Sequence, residues 1–115
     1  MDEANAPLDA IVVMLTAPTR EEALRLAKLL VEQQLAACVQ VLPEMLSVYH
    51  WDGAMQRDAE HLIIAKTTRE RFAQLEQAVR AVHSYATPEI IALPVVAGSA
   101  PYLQWLVNSG TWQRQ

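Results

Sequence analysis

The sequence predicts an α+β sandwich of ferredoxin-like topology, with the order βαββαβ followed by a C-terminal helix. Short runs rich in β-branched residues alternate with two segments whose apolar residues recur at helical spacing. Proline cannot occupy a central strand, and it occurs in the second and fourth predicted strands, as Pro43 and Pro94, but not in the first and third. The first and third strands are therefore expected in the centre of the sheet, with the other two at its edges.

The composition is typical of one folded domain. The chain has 115 residues, 52% apolar and 19% charged, and a net charge of −4. We expect a flexible N-terminal arm over residues 1–8 and a single domain over residues 9–115. Scattered basic residues argue against nucleic-acid binding, and the apolar runs are too short to span a membrane. The acidic start and the single cysteine, Cys38, favour a reducing, cytoplasmic location.

The first predicted strand covers residues 11–15, a continuous apolar run that is typical of a strand covered on both faces. Pro18 ends this strand. Thr19 and Glu22 have the spacing of a capping box, in which each side chain accepts from the other residue's backbone amide, and this pattern begins a helix. One face of that helix is expected to pack on the sheet, through Ala23, Leu26, Ala27, Leu30 and Val31.

An extended hairpin is predicted next. Residues 37–51 form its first strand, which Pro43 interrupts, and residues 54–58 return as its second, which continues through residues 62–65. The Asp52-Gly53 pair between them is typical of a tight two-residue turn. Because long unpaired edge strands invite association, we expect copies of the chain to assemble into a closed, symmetric oligomer.

The second half of the chain repeats the helix–strand pattern. Thr67 and Glu70 have the spacing of a second capping box. The helix that follows is expected to pack through Phe72, Leu75, Val79 and Val82. Residues 90–96 form the last predicted strand, and Ser99 then caps a short helix that holds Pro101 in its first turn. The apolar positions of this helix are Tyr102, Leu103, Trp105 and Leu106.

Few side chains suggest chemistry, and no catalytic triad, carboxylate pair or nucleophile elbow is recognisable, so we expect no enzyme. His50 and His61 lie on the hairpin and are expected to face solvent. His83 follows the second helix, where it either stabilises the helix end as a cation or binds a metal ion. Cys38 is either a small buried hydrophobe or a soft metal ligand. Glu89, at the start of the last strand, is expected to face a cleft or solvent.

Six segments together resemble the CutA divalent-cation-tolerance family. The match covers residues 10–107, and its combination of segments is specific although each alone is short. The segments are residues 15–18 (LTAP), 35–39 (LAACV), 47–53 (SVYHWDG), 66–67 (KT), 83–94 (HSYATPEIIALP) and 102–106 (YLQWL). The resemblance implies a ferredoxin-like fold and a compact homotrimer with the architecture of the PII signalling proteins. It also implies a cytoplasmic, non-enzymatic role in the tolerance of copper and other divalent cations.

The resemblance also implies a copper site that this chain retains only in part. In some bacterial members the proposed ligands are a Cys before the T-A-P segment and two adjacent His before the Y-x-x-P-E segment. Here Leu15 and Val82 stand at the first two of these positions, so that only His83 remains. Cys38 matches the A-A-C segment and is the one remaining soft donor. We therefore expect copper or another divalent cation to bind weakly through His83, with Cys38 and Glu89 contributing.

Two other functions stay open from the sequence. The first is a PII-like sensor that binds a small anionic metabolite in clefts between subunits, lined by Lys66, Trp51, Tyr85 and Glu89. The second is a rigid trimeric scaffold that recruits a heterologous partner. Taken alone, these aromatic residues are typical of packing or interface positions, and Lys66 is typical of a side chain that lies along the sheet with its ammonium in water.

Overall fold

The computed structural model describes residues 9–108, and the predicted order of elements is found there. The predicted arm at residues 1–8 lies outside the described residues, as do residues 109–115. The elements are strand β1 (Ala10–Ala17), helix α1 (Arg20–Glu32), strands β2 (Cys38–Trp51) and β3 (Ala54–Thr68), a 3₁₀ turn (Arg69–Arg71), helix α2 (Phe72–Val82), strand β4 (Ile90–Pro94) and helix α3 (Ala100–Val107).

The four strands form one antiparallel sheet in the order β2-β3-β1-β4, which confirms the predicted centre and edges. Pro43 lies in a β-bulge, where the pairing of β2 with β3 shifts between Val41 and Glu44. The prediction that the last strand reaches residue 96 is wrong, because β4 ends at Pro94. The Val95 amide still donates to the Ala10 carbonyl over 3.2 Å, and Ala10 is the first residue of β1.

The hydrophobic core lies between one face of the sheet and helices α1 and α2. Alternate residues of the central strands point to this face, among them Val13, Leu15 and Ile63, which are fully buried. The opposite face is covered at one end by α3, whose Leu103 and Leu106 pack against Ala10. Its remaining apolar residues, which we call the open face, are half-buried or exposed: Val12, Met14, Ile64, Ile91 and Leu93.

The β2–β3 hairpin continues past the end of β1, whose last residue Ala17 pairs with His61. We call the projecting part, residues 45–51 and 54–60, the arm. Both residues of its turn have the positive φ that a type I′ turn requires, 54° at Asp52 and 74° at Gly53, which confirms the predicted turn. Both faces of the arm carry exposed apolar side chains, namely Leu46, Val48, Tyr49, Trp51 and Met55.

The start of α1 is as predicted, since Thr19 Oγ1 accepts from the Glu22 backbone amide over 3.1 Å. The second predicted capping box is wrong. Thr67 is the penultimate residue of β3 and is fully buried, and its hydroxyl donates to the Leu35 carbonyl over 2.7 Å. Because this bond keeps Thr67 in the strand, the chain passes through a 3₁₀ turn and α2 begins only at Phe72.

Two residues predicted on the packing faces of the helices lie outside them. Val31 of α1 is 46% exposed and Val82 of α2 is 58% exposed. Each is the last residue of its predicted stripe, and the buried side chains Leu30 and Val79 mark where the packed face ends. Ser99 does precede α3 as predicted, but its side chain makes no capping hydrogen bond.

Candidate functional site

Three consecutive residues after α2 each bind a different element, and we call them the 83–85 loop. The Nε2 atom of His83 lies 2.8 Å from the Thr16 carbonyl oxygen at the end of β1. The backbone amide and the hydroxyl of Ser84 each donate over 3.0 Å to one carboxylate oxygen of Glu22 in α1. The Tyr85 hydroxyl donates over 3.0 Å to Glu60 in the arm. This loop therefore links the sheet, the first helix and the arm.

Both ring nitrogens of His83 are engaged. A carbonyl can only accept, so Nε2 carries the proton that it donates to Thr16. The Tyr85 backbone amide donates to Nδ1 over 2.9 Å, so Nδ1 is the acceptor of a neutral imidazole. The side chain has 0% exposure, and a Glu22 carboxylate oxygen lies 3.5 Å from Nδ1. His83 also ends α2, but its ring is buried in these contacts rather than exposed beside the helix end.

Glu22 does not complete the predicted capping box. Its carboxylate turns away from the start of α1 and accepts both hydrogen bonds from Ser84. Burial raises the pKa of this carboxyl, but the two Ser84 donors outweigh burial, with help from Arg25, and hold the pKa below its ordinary value. The Glu22 side chain is thus ionised. Its contact with the 83–85 loop could not be predicted from the sequence, because the capping-box spacing already gave Glu22 a role at the start of α1.

Two tyrosine hydroxyls pair with carboxylates of β3 close to the end of β1. Glu60 is buried and accepts from Tyr85, while Asp58 accepts from the Tyr49 hydroxyl. Burial, and then the charge of Glu60, raise the pKa of Glu89 above its ordinary value. Glu89 directly precedes Ile90, which pairs with Leu15, so the register carries Glu89 to the position opposite Thr16. It therefore lies at the end of β1 where His83 is bound.

Cys38 lies away from His83 within one chain. It pairs with Lys66, whereas the His83 partner Thr16 pairs with Leu62, four positions further along β3. At the usual rise for a strand, that is about 13 Å along the sheet. The thiol is half-buried on the same face as the Lys66 side chain.

The predicted metabolite cleft is not assembled within one chain. Trp51 pairs with Ala54 at the tip of the arm, twelve positions along β3 from Lys66, which is about 40 Å at the usual rise. The Lys66 ammonium donates to Gln40 over 2.7 Å, and Tyr85 binds Glu60 between these two places. Trp51 and Lys66 can line one cleft only if they come from different copies of the chain.

The two hairpin histidines differ. His50 is exposed, as predicted. The prediction for His61 is wrong, because it is 6% exposed and its Nδ1 donates to the Leu42 carbonyl over 3.1 Å. The bulge beside Pro43 removes Leu42 from the ladder and leaves its carbonyl for this ring.

Across residues 9–108, no three His, Cys, Asp or Glu side chains converge as a metal ion would require. In the same residues, no helix is long and apolar enough to cross a membrane. What the site does offer is one buried imidazole with a carboxylate beside it, at the end of β1 that Glu89 also reaches.

Known proteins resemble the chain over nearly all of its length. The Thermus thermophilus divalent-cation tolerance protein CutA is 46% identical over 95 residues, covering 83% of this chain and 92% of that protein. Its solved structure superposes with a TM-score of 0.85 at 44% identity, covering 87% of this chain and 97% of that one. The chloroplastic CutA protein of Arabidopsis thaliana is 45% identical over 109 residues, or 95% of this chain, which spans 60% of the Arabidopsis protein.

The family model for the CutA1 divalent ion tolerance protein matches residues 11–109. The matched region runs from the second residue of β1 to beyond the end of α3 and includes the three residues that bind the 83–85 loop, Thr16, Glu22 and Glu60. This chain belongs to the CutA1 divalent ion tolerance protein family.

Proposed function

We propose that this protein serves divalent-cation tolerance without catalysis, by binding copper or another divalent cation weakly through His83. Relatives named for divalent-cation tolerance support the general role. The observation that carries the metal assignment is the fixed tautomer of His83. Metal-binding imidazoles commonly donate their second N–H to a carbonyl or carboxylate, and the Nε2 donation to Thr16 does this, directing the Nδ1 lone pair to the 83–85 loop.

Glu89 and Cys38 are proposed as lesser contributors. The position of Glu89 opposite Thr16 brings a carboxylate to the same end of β1 as His83. Cys38 is about 13 Å away along the sheet, so it would act as a separate thiol anchor or through a neighbouring copy.

Copper titration by calorimetry tests the assignment, with His83→Ala, Glu89→Gln and Cys38→Ser compared with the unmodified protein at neutral pH. We expect His83→Ala to lose specific binding and Glu89→Gln to weaken it. The exposed His50→Ala is the matched control and should bind as the unmodified protein does. Unchanged binding by His83→Ala would refute the site, and loss confined to Cys38→Ser would assign the metal to the thiol and favour Cu(I).

We further propose that the protein is a homotrimer in the cytoplasm. The arm supports assembly, because an isolated two-stranded hairpin is marginally stable in water and this one exposes Leu46, Val48 and Met55 by 58%, 56% and 66%. The open face adds Ile91 and Leu93, which are 49% and 47% exposed. Large contiguous apolar patches of this kind are typical of interfaces. The free thiol of Cys38 supports the reducing location.

A metabolite sensor is the second candidate, and one observation favours it. Trp51 is 56% exposed at the tip of an arm that projects beyond its own domain, so it can reach a cleft on a neighbouring copy that holds Lys66 or Tyr85. A thermal-shift screen of small anionic metabolites tests this, with Trp51→Ala expected to abolish any shift. Silence in that screen and in copper titration, together with a protein captured specifically, would instead support the scaffold.

A further inference from the structure

We infer that the 83–85 loop is a latch that keeps His83 closed to metal ions, so that opening of the loop limits metal capture; this rests on the proposed function. The inference concerns regulation of the site rather than its ligands. It starts from the finding that the ring proposed to bind copper has 0% side-chain exposure and no nitrogen without a hydrogen-bond partner.

The closed state blocks the atom that a metal needs. A cation binds an imidazole through a nitrogen lone pair, and the Nε2 position carries the proton donated to Thr16. The Nδ1 lone pair is directed to the Tyr85 backbone amide, 2.9 Å away. Because an N–H group and a cation cannot occupy the same lone pair, metal binding requires the Tyr85 amide to move.

Two side-chain contacts on different elements hold that amide in place. Before Tyr85, the Ser84 amide and hydroxyl both donate to the Glu22 carboxylate of α1. At Tyr85 itself, the phenol is bound by Glu60 of the arm. Hydrogen bonds to a charged acceptor are stronger than those between neutral groups, so these contacts stabilise the closed loop.

There is space for the loop to move. A cleft of about 650 Å³ lies between the loop and the outer side of α2, lined among others by Gln77, Arg80 and Ala86. The hydrogen bond from Nε2 to Thr16 lies on the other side of the ring and need not break. The loop can therefore swing while the imidazole keeps the orientation and tautomer that ligation requires.

The apparent affinity of such a site is its intrinsic affinity reduced by the fraction of molecules that are open. Any change that weakens the latch without touching His83 should therefore tighten copper binding. Removing one hydrogen bond to a charged acceptor is expected to tighten it about tenfold. If Glu22 or Tyr85 were themselves ligands, their removal would instead weaken copper binding.

Copper titration of Tyr85→Phe, Ser84→Ala and Glu22→Ala tests the latch. Tyr85→Phe and Ser84→Ala each remove one donor and should tighten binding about tenfold, while Glu22→Ala removes both Ser84 contacts and should tighten it further. Tyr49→Phe is the matched control, since it deletes the corresponding phenol–carboxylate bond to Asp58 outside the loop, and its binding should be unchanged. Should Glu22→Ala fail to fold, Tyr85→Phe and Ser84→Ala still decide the question.

Amide hydrogen exchange provides a second readout on the unmodified protein. Adding copper should accelerate exchange at the Tyr85 amide, because binding displaces its acceptor. Unchanged or weaker binding by Tyr85→Phe and Ser84→Ala, in a protein whose binding is lost in His83→Ala, would overturn the latch and leave the proposed site intact. Unchanged binding by His83→Ala would instead overturn the site itself.

Discussion

Thr19 accepts a hydrogen bond from the Glu22 backbone amide over 3.1 Å, and this bond starts α1. Loss of a side-chain N-cap costs about 1 kcal/mol. We therefore expect Thr19→Ala to lower the free energy of unfolding by about 1 kcal/mol in urea denaturation. Ser99→Ala is the control at the start of α3, where no side-chain capping bond exists, and its effect should be smaller. Equal losses would show that the Thr19 bond contributes nothing specific.

Copper affinity should rise in Val82→His. The resemblance places a first histidine at this position, and Val82 is 58% exposed beside Glu22 and Arg25. An imidazole there would offer a ligand that the 83–85 loop does not cover, so we expect titration to give at least about tenfold tighter binding, or 1.4 kcal/mol. Lys28→His adds an exposed imidazole on α1 outside this region and should leave the affinity unchanged. An equal gain in both variants would indicate non-specific surface binding.

Assembly should depend on the arm. Leu46→Asp places a charge in the exposed apolar strip of the arm, and an uncompensated buried charge strongly disfavours an interface. We expect multi-angle light scattering to give a trimer mass for the unmodified protein and a smaller mass for Leu46→Asp. Leu24→Asp, at an outward position of α1 that is 46% exposed, should remain trimeric. A single-chain mass for the unmodified protein at micromolar concentration would refute the homotrimer.

Stability should depend on pH through Glu89. Burial, and then the charge of Glu60, raise the pKa of its carboxyl, so the folded protein binds this proton more tightly than the unfolded chain does. The protonated Glu89 carboxyl therefore contributes to the stability of the fold at low pH, and this contribution is lost as pH rises through the raised pKa. Glu89→Gln should be more stable than the unmodified protein at about pH 7 and equal to it at about pH 3. Chemical denaturation at both pH values checks this, and a destabilised Glu89→Gln at about pH 7 would contradict it.

Glu44→Gln is the control for that measurement. Glu44 is an exposed carboxylate next to the bulge in β2, so its replacement should change stability little at either pH. A pH-dependent effect of the same size in this variant would assign the dependence to overall charge rather than to the burial of Glu89 and the charge of Glu60.

The sheet could be predicted from sequence because its signals are local. Pro43 and Pro94 mark the edges, and Asp52-Gly53 marks the turn through the backbone conformation it requires. Thr67 shows where such signals fail. A threonine three residues before a glutamate is the same pattern whether its hydroxyl caps a helix or bonds a distant carbonyl, and only tertiary packing placed Leu35 beside it.

The candidate site could be predicted only in part for the same reason. His83 and Glu89 can be predicted because one follows a helix, the other starts a strand, and both match a family segment. The role of Glu22 instead depends on Ser84, far along the chain. His61 was assigned to solvent because strand alternation alone does not reveal that a bulge exposes the Leu42 carbonyl to it. Contacts between distant segments decide each of these cases.

The alternation of side chains along the arm restricts how its length can vary among related chains. Leu46 and Val48 point to one face of the ribbon and Tyr49 and Trp51 to the other. Deleting one residue from a strand would exchange these faces for every residue between the deletion and the turn. Unless a bulge such as that at Pro43 absorbs the extra residue, insertions and deletions that keep these faces come in pairs on both strands, so arm length should differ between lineages in steps of about 7 Å.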